Sequence, residues 1–188
     1  MHAFNAGTLA GAGSFRCGEC GFAVALHERD EVPACPNCGG DRFERASLFA
    51  TEESAEPTLD AEGPPEWIAE AREALGTDGS FLAYNDDDGP RVVALSEGWT
   101  RIGRSLAADV RLDDPTVSRR HALVYCDQED ARVLDDRSLN GVFHKGERVE
   151  LSELADGDEI AIGRFHLYFL TPAGQEARGR EGLGAAIL

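Results

Sequence analysis

Apolar and polar positions follow different patterns in different parts of the chain. From residue 81 to residue 170, short apolar or alternating runs are separated by turn-forming pairs such as Asp-Gly, Asn-Gly and Lys-Gly. This pattern predicts strands near residues 81–84, 91–96, 99–103, 109–112, 121–126, 131–135, 142–144, 159–163 and 165–170. Many short strands at regular turn spacing favour a β-sandwich, and therefore a mainly β protein.

The stretch before these strands has a different composition. Residues 47–80 are rich in acidic and small side chains, and twelve acidic residues but one arginine lie between positions 51 and 89. This composition predicts a solvated acidic linker. Apolar residues recur at helical spacing from Pro64 to Leu75, which predicts one short helix inside the linker. A helix of this length persists only when it docks onto another part of the protein.

The whole chain has 188 residues, which leaves room for one ordinary domain and a small one. No run approaches the 18 apolar residues of a membrane span, so no membrane association is expected. Residues 1–15 lack the basic and long apolar regions of a signal peptide, and a cytoplasmic location is expected. Residues 172–188 are predicted to form a flexible tail.

The net charge of -17 changes which partners are plausible. Residues 1–50 hold four arginines against six acidic residues, and the large acidic excess lies between positions 51 and 89. A nucleic-acid-binding protein needs a cationic face that displaces counterions from phosphates. No segment supplies such a face in bulk, so nucleic acid is not an expected partner.

Four of the five cysteines form two pairs, Cys17-Gly-Glu-Cys20 and Cys35-Pro-Asn-Cys38, separated by fourteen residues. Paired cysteines in a chain without export signals indicate a metal site rather than disulfides. Two such knuckles bring four sulfurs together in a tetrahedral site that suits zinc. Because these four thiolates saturate the ion, His27 is predicted to be a surface residue. The fifth cysteine, Cys126, is predicted to fill the core of a strand.

The cysteine-containing segment, residues 15–46, resembles zinc ribbons, and its Cys-Pro-x-Cys-Gly knuckle also resembles rubredoxin-like iron sites. The ligands do not separate zinc from iron. Zinc is favoured because the chain shows no redox partner domain. With four protein ligands no coordination position remains open for chemistry, so the metal is predicted to be structural. A segment this short cannot fold on its own core, and the metal would supply its folding free energy.

Three short motifs with anion-binding chemistry lie at predicted loops or loop edges: Gly103-Arg104, Ser118-Arg-Arg-His121 and Ser138-Leu-Asn-Gly141. Arginine supplies a planar fork for phosphate oxygens, and serine supplies a hydroxyl donor. Asparagine can both donate to and accept from an extended peptide main chain. The three motifs together indicate an anion-binding site beside an asparagine that is suited to a peptide main chain.

The same motifs, in the same order, resemble those of the forkhead-associated (FHA) family, and the resemblance covers about residues 81–171. FHA domains are β-sandwiches with phosphothreonine-binding loops at one end. The resemblance implies that Arg104 and Ser118 bind the phosphate, that Arg119 adds a contact, and that Asn140 holds the peptide main chain. It also places Ser138 where it can assist with the phosphate.

Other residues of the motifs have a structural role according to the same resemblance. Gly103 turns the chain before the arginine, and His121 and Gly141 fix the loops. Two positions depart from the family pattern, because Leu139 and Val142 stand where many members have threonine. These departures affect affinity and fine specificity, while the phosphate site itself is retained.

The predicted architecture is therefore an FHA β-sandwich (81–171) preceded by a small zinc ribbon (15–46) and an acidic linker with one short helix (47–80). Its predicted function is phosphothreonine-dependent binding of a Ser/Thr kinase or its substrates. The chain resembles small bacterial FHA regulators, in which a phosphorylated threonine of the N-terminal region folds back onto the domain. Thr51 and Thr58 are the candidates for such autoregulation.

Two alternatives of a different class remain open. One is a rubredoxin-like iron electron carrier with an accessory FHA domain, and the other is a zinc ribbon that binds nucleic acid. The first predicts a red protein and the second is disfavoured by charge. No constellation of nucleophile and base or of paired carboxylates indicates an enzyme.

Overall fold

The structure is a computed structural model that describes residues 3–46, 65–73, 75–76, 78–128 and 130–172. Its N-terminal part is a small antiparallel sheet with strand order β1-β4-β2-β3. The four strands are β1 (Ala3–Asn5), β2 (Gly13–Cys17), β3 (Ala23–Leu26) and β4 (Arg42–Arg45). Strand β3 thus forms one edge of this sheet, which we call the ribbon.

The ribbon has its own small hydrophobic core. Phe15 and Phe43 are completely buried, and Val24 and Leu26 of β3 pack with them. Phe4 contacts the ring of Phe15 edge-on, with ring centroids 5.2 Å apart. The pattern of hydrophobic positions did not identify these strands individually, since strands of three to five residues are too short to show a clear alternation.

One helix, α1 (Glu66–Glu73), follows the undescribed part of the linker. Its buried residues Ile68 and Ala71 pack against Ala83, Tyr168 and Leu170 of the larger domain. This docking meets the requirement that a helix of eight residues be supported by tertiary contacts. Within the described residues, no helix is long and apolar enough to cross a membrane.

The larger domain consists of eleven strands in two sheets. The strands are β5 (Ser80–Asp86), β6 (Gly89–Leu95), β7 (Gly98–Gly103), β8 (Val110–Arg111), β9 (Ala122–Cys126), β10 (Ala131–Asp135), β11 (Val142–His144), β12 (Glu147–Val149), β13 (Leu151–Glu153), β14 (Glu159–Ile162) and β15 (Phe165–Leu170). One sheet has the order β13-β10-β9-β7-β8, and the other has the order β12-β11-β14-β15-β5-β6. This confirms the predicted mainly β fold with one short helix.

Alternate residues of both sheets meet in one hydrophobic core. Val124 and Val133 come from one sheet, and Leu82, Ile160 and Leu167 come from the other. All five side chains are completely buried. The fifth cysteine also lies in this core, as predicted, and burial raises the pKa of Cys126 to about 11.

Two strands of the sandwich were not predicted. Strand β12 has the polar sequence Glu-Arg-Val and pairs with β11 across a tight hairpin. Lys145 and Gly146 both have positive φ values, 51° and 85°, as the hairpin turn requires. Strand β13 forms by pairing with β10. Their partners determine these strands, since their own sequences carry little hydrophobic periodicity.

Candidate functional site

Two of the predicted loops are joined by main-chain hydrogen bonds. Arg104, directly after β7, donates its amide to the carbonyl oxygen of Ser118 over 3.0 Å. The amide of Ser105 donates to the carbonyl oxygen of Arg119 over 3.2 Å. The chain that carries Arg104 therefore lies directly along the chain that carries Ser118 and Arg119.

Gly103 makes this close approach possible. A Cβ atom at this position would lie 2.4 Å from the carbonyl oxygen of Arg119 and 3.0 Å from that of Ser118. Both of these neighbours are main-chain atoms, which cannot move aside cheaply. Glycine is thus required here for space between two chains, because its lack of a Cβ allows the loops to touch.

The third predicted loop joins the same cluster through Ser118. The amide of Leu139 donates to Ser118 Oγ over 3.0 Å, and the amide of Gly141 donates to Ser138 Oγ over 2.8 Å. The amide of Ser138 in turn donates to Asp135 Oδ1 over 2.7 Å. Each serine oxygen accepts in these bonds, so each hydroxyl keeps its proton for a further acceptor.

His121 lies beneath the cluster and connects two of its loops. Its side chain is completely buried. Nδ1 accepts from the amide of Ser118 over 3.0 Å, and Nε2 donates to the carbonyl oxygen of Gly141 over 3.0 Å. This arrangement needs a neutral ring that is protonated on Nε2 alone. Burial lowers the pKa of His121 below its ordinary value of 6.5, which favours the neutral form.

We expect the free energy of unfolding to depend on this histidine below pH 6.5. Because the folded state lowers its pKa, the unfolded state binds more protons at acidic pH, and stability is lost as the pH falls from 6.5. Urea unfolding at pH 7.5 and 5.5 should show a loss of up to about 1.4 kcal/mol per pH unit. The His121→Gln variant should be less stable at both pH values and should lack most of this slope. An equal slope in both proteins would contradict the assignment.

Asn140 is 3% exposed, and both polar atoms of its side chain are hydrogen bonded. Oδ1 accepts from the amide of Ala23 over 2.9 Å. Nδ2 donates to the carbonyl oxygens of Ala23 over 2.8 Å and Thr116 over 2.9 Å. The predicted peptide-holding asparagine therefore holds an extended main chain in this structure, and that chain is strand β3 of the ribbon.

Arg104 also contacts the ribbon. Its Nη1 donates to Nε2 of His27 over 3.1 Å. Its Nε is buried and has no hydrogen-bond partner among the described residues. The guanidinium of Arg104 therefore keeps one donor that none of the described residues accepts. Arg119 is exposed beside this loop, and the predicted surface position of His27 agrees with its exposure.

The four paired cysteines meet at one point in the ribbon. Their sulfur atoms all lie within 4.8 Å of one another, with Cys17 Sγ 3.6 Å from Cys38 Sγ and Cys20 Sγ 3.5 Å from Cys35 Sγ. Four thiolates at zinc–sulfur distances of about 2.3 Å would be separated by about 3.8 Å in a tetrahedron. The cluster thus has the spacing that a single tetrahedral ion requires.

The local main chain explains this convergence, because the two knuckles have the same conformation. The amide of Gly21 donates to the carbonyl oxygen of Cys17 over 2.9 Å, and that of Gly39 donates to Cys35 over 2.8 Å. The two glycines have φ values of 74° and 75°. The amide of Gly40 also donates to Cys38 Sγ over 3.4 Å. These contacts are suited to a bound metal, and the cluster is a metal-binding site.

Some residues were missed by the sequence argument, and others cannot be placed. Thr51 and Thr58 lie outside the described residues. The missed residues are Ala23, Ala25, Pro115 and Thr116, which join the ribbon to the loops. A signal for the first two was available, since the sequence Ala-Val-Ala-Leu at 23–26 alternates small and large residues. Small side chains on one face of a strand allow close approach.

Comparison with known families agrees with both parts of the chain. The model of the FHA domain matches residues 100–163, and that of a zinc-ribbon containing domain matches residues 1–47. A solved structure described as a structural and functional analysis of phosphothreonine-dependent FHA domain interactions is 36% identical, with a TM-score of 0.46. That match covers 48% of this chain and 94% of the other.

Relatives of known name include the glycogen accumulation regulator GarA of Mycobacterium tuberculosis, which is 35% identical over 130 residues. The match covers 68% of this chain and 80% of GarA. The oxoglutarate dehydrogenase inhibitor of Corynebacterium glutamicum is 42% identical over 76 residues, which is 40% of this chain and 53% of the inhibitor. With its FHA motifs and this extent of similarity, the chain belongs to the family of small FHA regulators that includes GarA.

Proposed function

We propose that this chain is a phosphothreonine-dependent adaptor in Ser/Thr kinase signalling. The loops that carry Arg104, Ser118 and Asn140, which we call the FHA loops, bind a phosphorylated segment of a kinase or of a kinase substrate. The observation that carries the proposal is that Asn140 holds the extended main chain of β3 at Ala23, while Arg104 contacts His27, four residues further along the same segment. Asn140 thus binds main-chain groups, and Arg104 supplies a cationic side chain whose Nε has no acceptor among the described residues.

The chemistry of the loop cluster accounts for phosphate dependence. Arg104 supplies a guanidinium fork to the dianion, and Ser118 supplies a hydroxyl proton while its oxygen accepts from Leu139. Arg119 adds positive charge at the exposed side, and Ser138 is a further hydroxyl in the same loop cluster. Unphosphorylated threonine lacks the charge-assisted hydrogen bonds and would bind weakly.

The proposed activity is binding rather than catalysis. The FHA domain is a recognition module, and the two relatives are named as a regulator and an inhibitor. A cytoplasmic location fits the metal site, because thiols are kept reduced in the cytosol and the four cysteines are then available as ligands.

Arg104→Ala should abolish phosphate-dependent binding. Loss of a bidentate charge-assisted contact costs about 1.5–3 kcal/mol per hydrogen bond, so affinity should fall by about 100-fold or more. Fluorescence anisotropy with a library of phosphothreonine peptides, each beside its unphosphorylated twin, measures this change. Arg104→Lys retains the charge without the fork and should give an intermediate affinity.

A matched control removes an arginine elsewhere on the sandwich. Arg91 of β6 is paired with Asp86 over 2.8 Å and with Asp88 over 3.0 Å, so Arg91→Ala should leave peptide affinity within about two-fold, since surface ion pairs have small effects. Equal phosphopeptide binding by wild type and Arg104→Ala would reject the proposed role of Arg104. Equal binding of phosphorylated and unphosphorylated twins would reject the proposed function.

For the metal site we propose zinc as the natural ion. The tetrahedral thiolate cluster and the match to a zinc-ribbon domain support it. Zinc leaves the protein colourless, whereas iron in the same site gives a red protein, so metal analysis of the purified chain distinguishes the structural role from electron transfer.

A separate hypothesis concerns the linker threonines. Phosphorylated Thr51 or Thr58 would act as an intramolecular ligand of the FHA loops at high effective concentration. Phosphorylation of the full chain followed by titration with a phosphopeptide tests this, and an unchanged affinity would remove the hypothesis.

A further inference from the structure

Strand β3 lies at the edge of the ribbon sheet and turns that edge toward the FHA loops. An edge strand presents a row of unpaired amides and carbonyls. Ala23 and Ala25 belong to alternate positions of β3, and the amide of Ala25 donates to the carbonyl oxygen of Pro115 over 2.7 Å. Together with the two bonds between Ala23 and Asn140, the loops thus bind three outward main-chain groups of β3, in the way a receptor binds an extended peptide.

From these contacts we propose that β3 is an intramolecular stand-in for the bound peptide, and that a phosphopeptide must displace the ribbon before it reaches the FHA site. The inference rests on the proposed function of that site. It assigns to the ribbon a role in closing the site as well as in binding metal.

The first argument is the hydrogen-bonding capacity of Asn140. Its amide group has two hydrogens, and both are used, one by Ala23 and one by Thr116. Its oxygen accepts the amide of Ala23, and the side chain is 3% exposed. While the ribbon is docked, Asn140 has no free donor and no exposed surface for another main chain. The ribbon and a peptide held by Asn140 therefore exclude each other.

The second argument is the close fit of β3. Ala23 is completely buried, yet it lies outside the hydrophobic cluster of the ribbon. Val24 and Leu26 point into that cluster, so the small side chains of Ala23 and Ala25 alternate with them on the opposite face. Because the side chain of Ala23 is completely buried outside that cluster, a larger residue at position 23 would hold the main chain away from its neighbours.

The third argument is that the contact is suited to release. The hydrophobic cluster of the ribbon consists of residues between 4 and 43, and that of the sandwich consists of residues between 82 and 169. Among the described residues no hydrophobic cluster joins the two, and the identified hydrogen bonds between them involve polar or main-chain groups. An interface without a shared apolar core opens more readily than one that has it.

The fourth argument is the chemistry at Arg104. In the closed state its partner on the ribbon is the imidazole of His27, which is a single acceptor. A phosphate dianion offers several acceptors and opposite charge to the same guanidinium. A phosphopeptide thus has an advantage at Arg104 that the ribbon lacks, while the ribbon has the advantage of being tethered, at an effective concentration on the order of millimolar. The phosphate provides the specific means of displacement.

The test uses the full chain and two substitutions of one residue. Ala25→Pro removes the amide that donates to Pro115, and proline is tolerated on a strand edge whose amide faces away from the sheet. Ala25→Ser keeps the amide and is the matched control. We expect Ala25→Pro to bind a phosphothreonine peptide at least about 10-fold more tightly than wild type, and Ala25→Ser to differ from wild type by less than two-fold, with the unphosphorylated twin weak in all three.

A second measurement does not depend on any substitution. In wild type the amide of Ala23 should be protected from hydrogen exchange, because it donates to Asn140. A saturating phosphothreonine peptide should remove that protection, while the amide of Val24, which faces β2, should stay protected.

The outcomes separate the two proposals. Equal phosphopeptide affinity of wild type and Ala25→Pro, with the Ala23 amide still protected in the complex, would overturn ribbon displacement and leave phosphothreonine binding intact. Binding of no phosphothreonine peptide by wild type or by Ala25→Pro would reject the proposed function itself and, with it, the role of β3 as a stand-in. Tighter binding by Ala25→Pro together with loss of Ala23 protection supports both.

Discussion

Removal of the metal is expected to unfold the ribbon while the sandwich remains folded. Residues 3–46 hold a core of a few side chains around Phe15 and Phe43, which is too small to stabilise a fold alone. Binding of a structural zinc ion supplies about 10 kcal/mol or more, so the folded ribbon should depend on it. Chelation followed by hydrogen exchange should show lost protection in β2 and β3 with retained protection in β9 and β14.

Two cysteine variants sharpen this prediction. Cys38→Ser removes one of the four clustered sulfurs and should reduce both bound metal and ribbon protection. Cys126→Ala removes a buried thiol of the sandwich core and should leave the metal content at one ion per chain, with only a modest loss of sandwich stability. A ribbon that stays protected after complete chelation would show that the metal is dispensable for its folding.

Metal removal also connects the ribbon to recognition. If β3 covers Asn140 only while the ribbon is folded, the metal-free chain should bind phosphothreonine peptides more tightly than the metal-loaded chain. The expected direction is the same as for Ala25→Pro, although the cause is unfolding rather than loss of one hydrogen bond. Metal status and phosphopeptide affinity would then be thermodynamically linked.

Gly103→Ala is the second change with a large expected effect. The added methyl group would lie 2.4 Å from the carbonyl oxygen of Arg119, a main-chain atom, so the loops after β7 and before β9 must move apart. That movement breaks the bond from the amide of Arg104 to Ser118. Overpacking against main chain costs about 1–3 kcal/mol or more, and we expect lower stability together with about 10-fold or greater loss of phosphopeptide affinity.

Gly76→Ala is the matched control for this substitution. A Cβ atom at Gly76 would lie 3.9 Å from its nearest neighbours, and the position has no positive φ value in need of glycine. Thermal unfolding and peptide titration of both variants measure the difference. If Gly103→Ala behaved like Gly76→Ala in both measurements, the close contact of the two loops would not be required for the site.

The strands show which elements the pattern of hydrophobic positions predicts and which it misses. It predicted nine strands of the sandwich because each carries apolar or alternating residues that face a common core. It missed β12 and β13, which form through pairing with β11 and β10. Helix α1 was predicted from its spacing, but its packing against Ala83 and Tyr168 was not, since periodicity shows which face is apolar and not what covers it.

The candidate site likewise has features that the sequence predicted and contacts that only the structure shows. The motifs around Arg104, Ser118 and Asn140 are local in sequence, and each predicted loop is present in the structure. One partner of Asn140, Ala23, is 117 residues away, in a strand that was not predicted. Contacts of that kind depend on how two folded units meet, and no local pattern encodes them.

The sequence alone specifies the two modules, because cysteine spacing dictates a four-sulfur site and the order of Gly-Arg, Ser-x-x-His and Ser-x-Asn-Gly dictates the loop chemistry. These features follow from residue type and short-range spacing, because the functional group of a side chain sets what it can bind. The tertiary structure decided that His121 connects two loops as a neutral ring and that Asn140 forms hydrogen bonds with strand β3. Both depend on burial and on long-range hydrogen bonds, which arise only when distant segments are packed together.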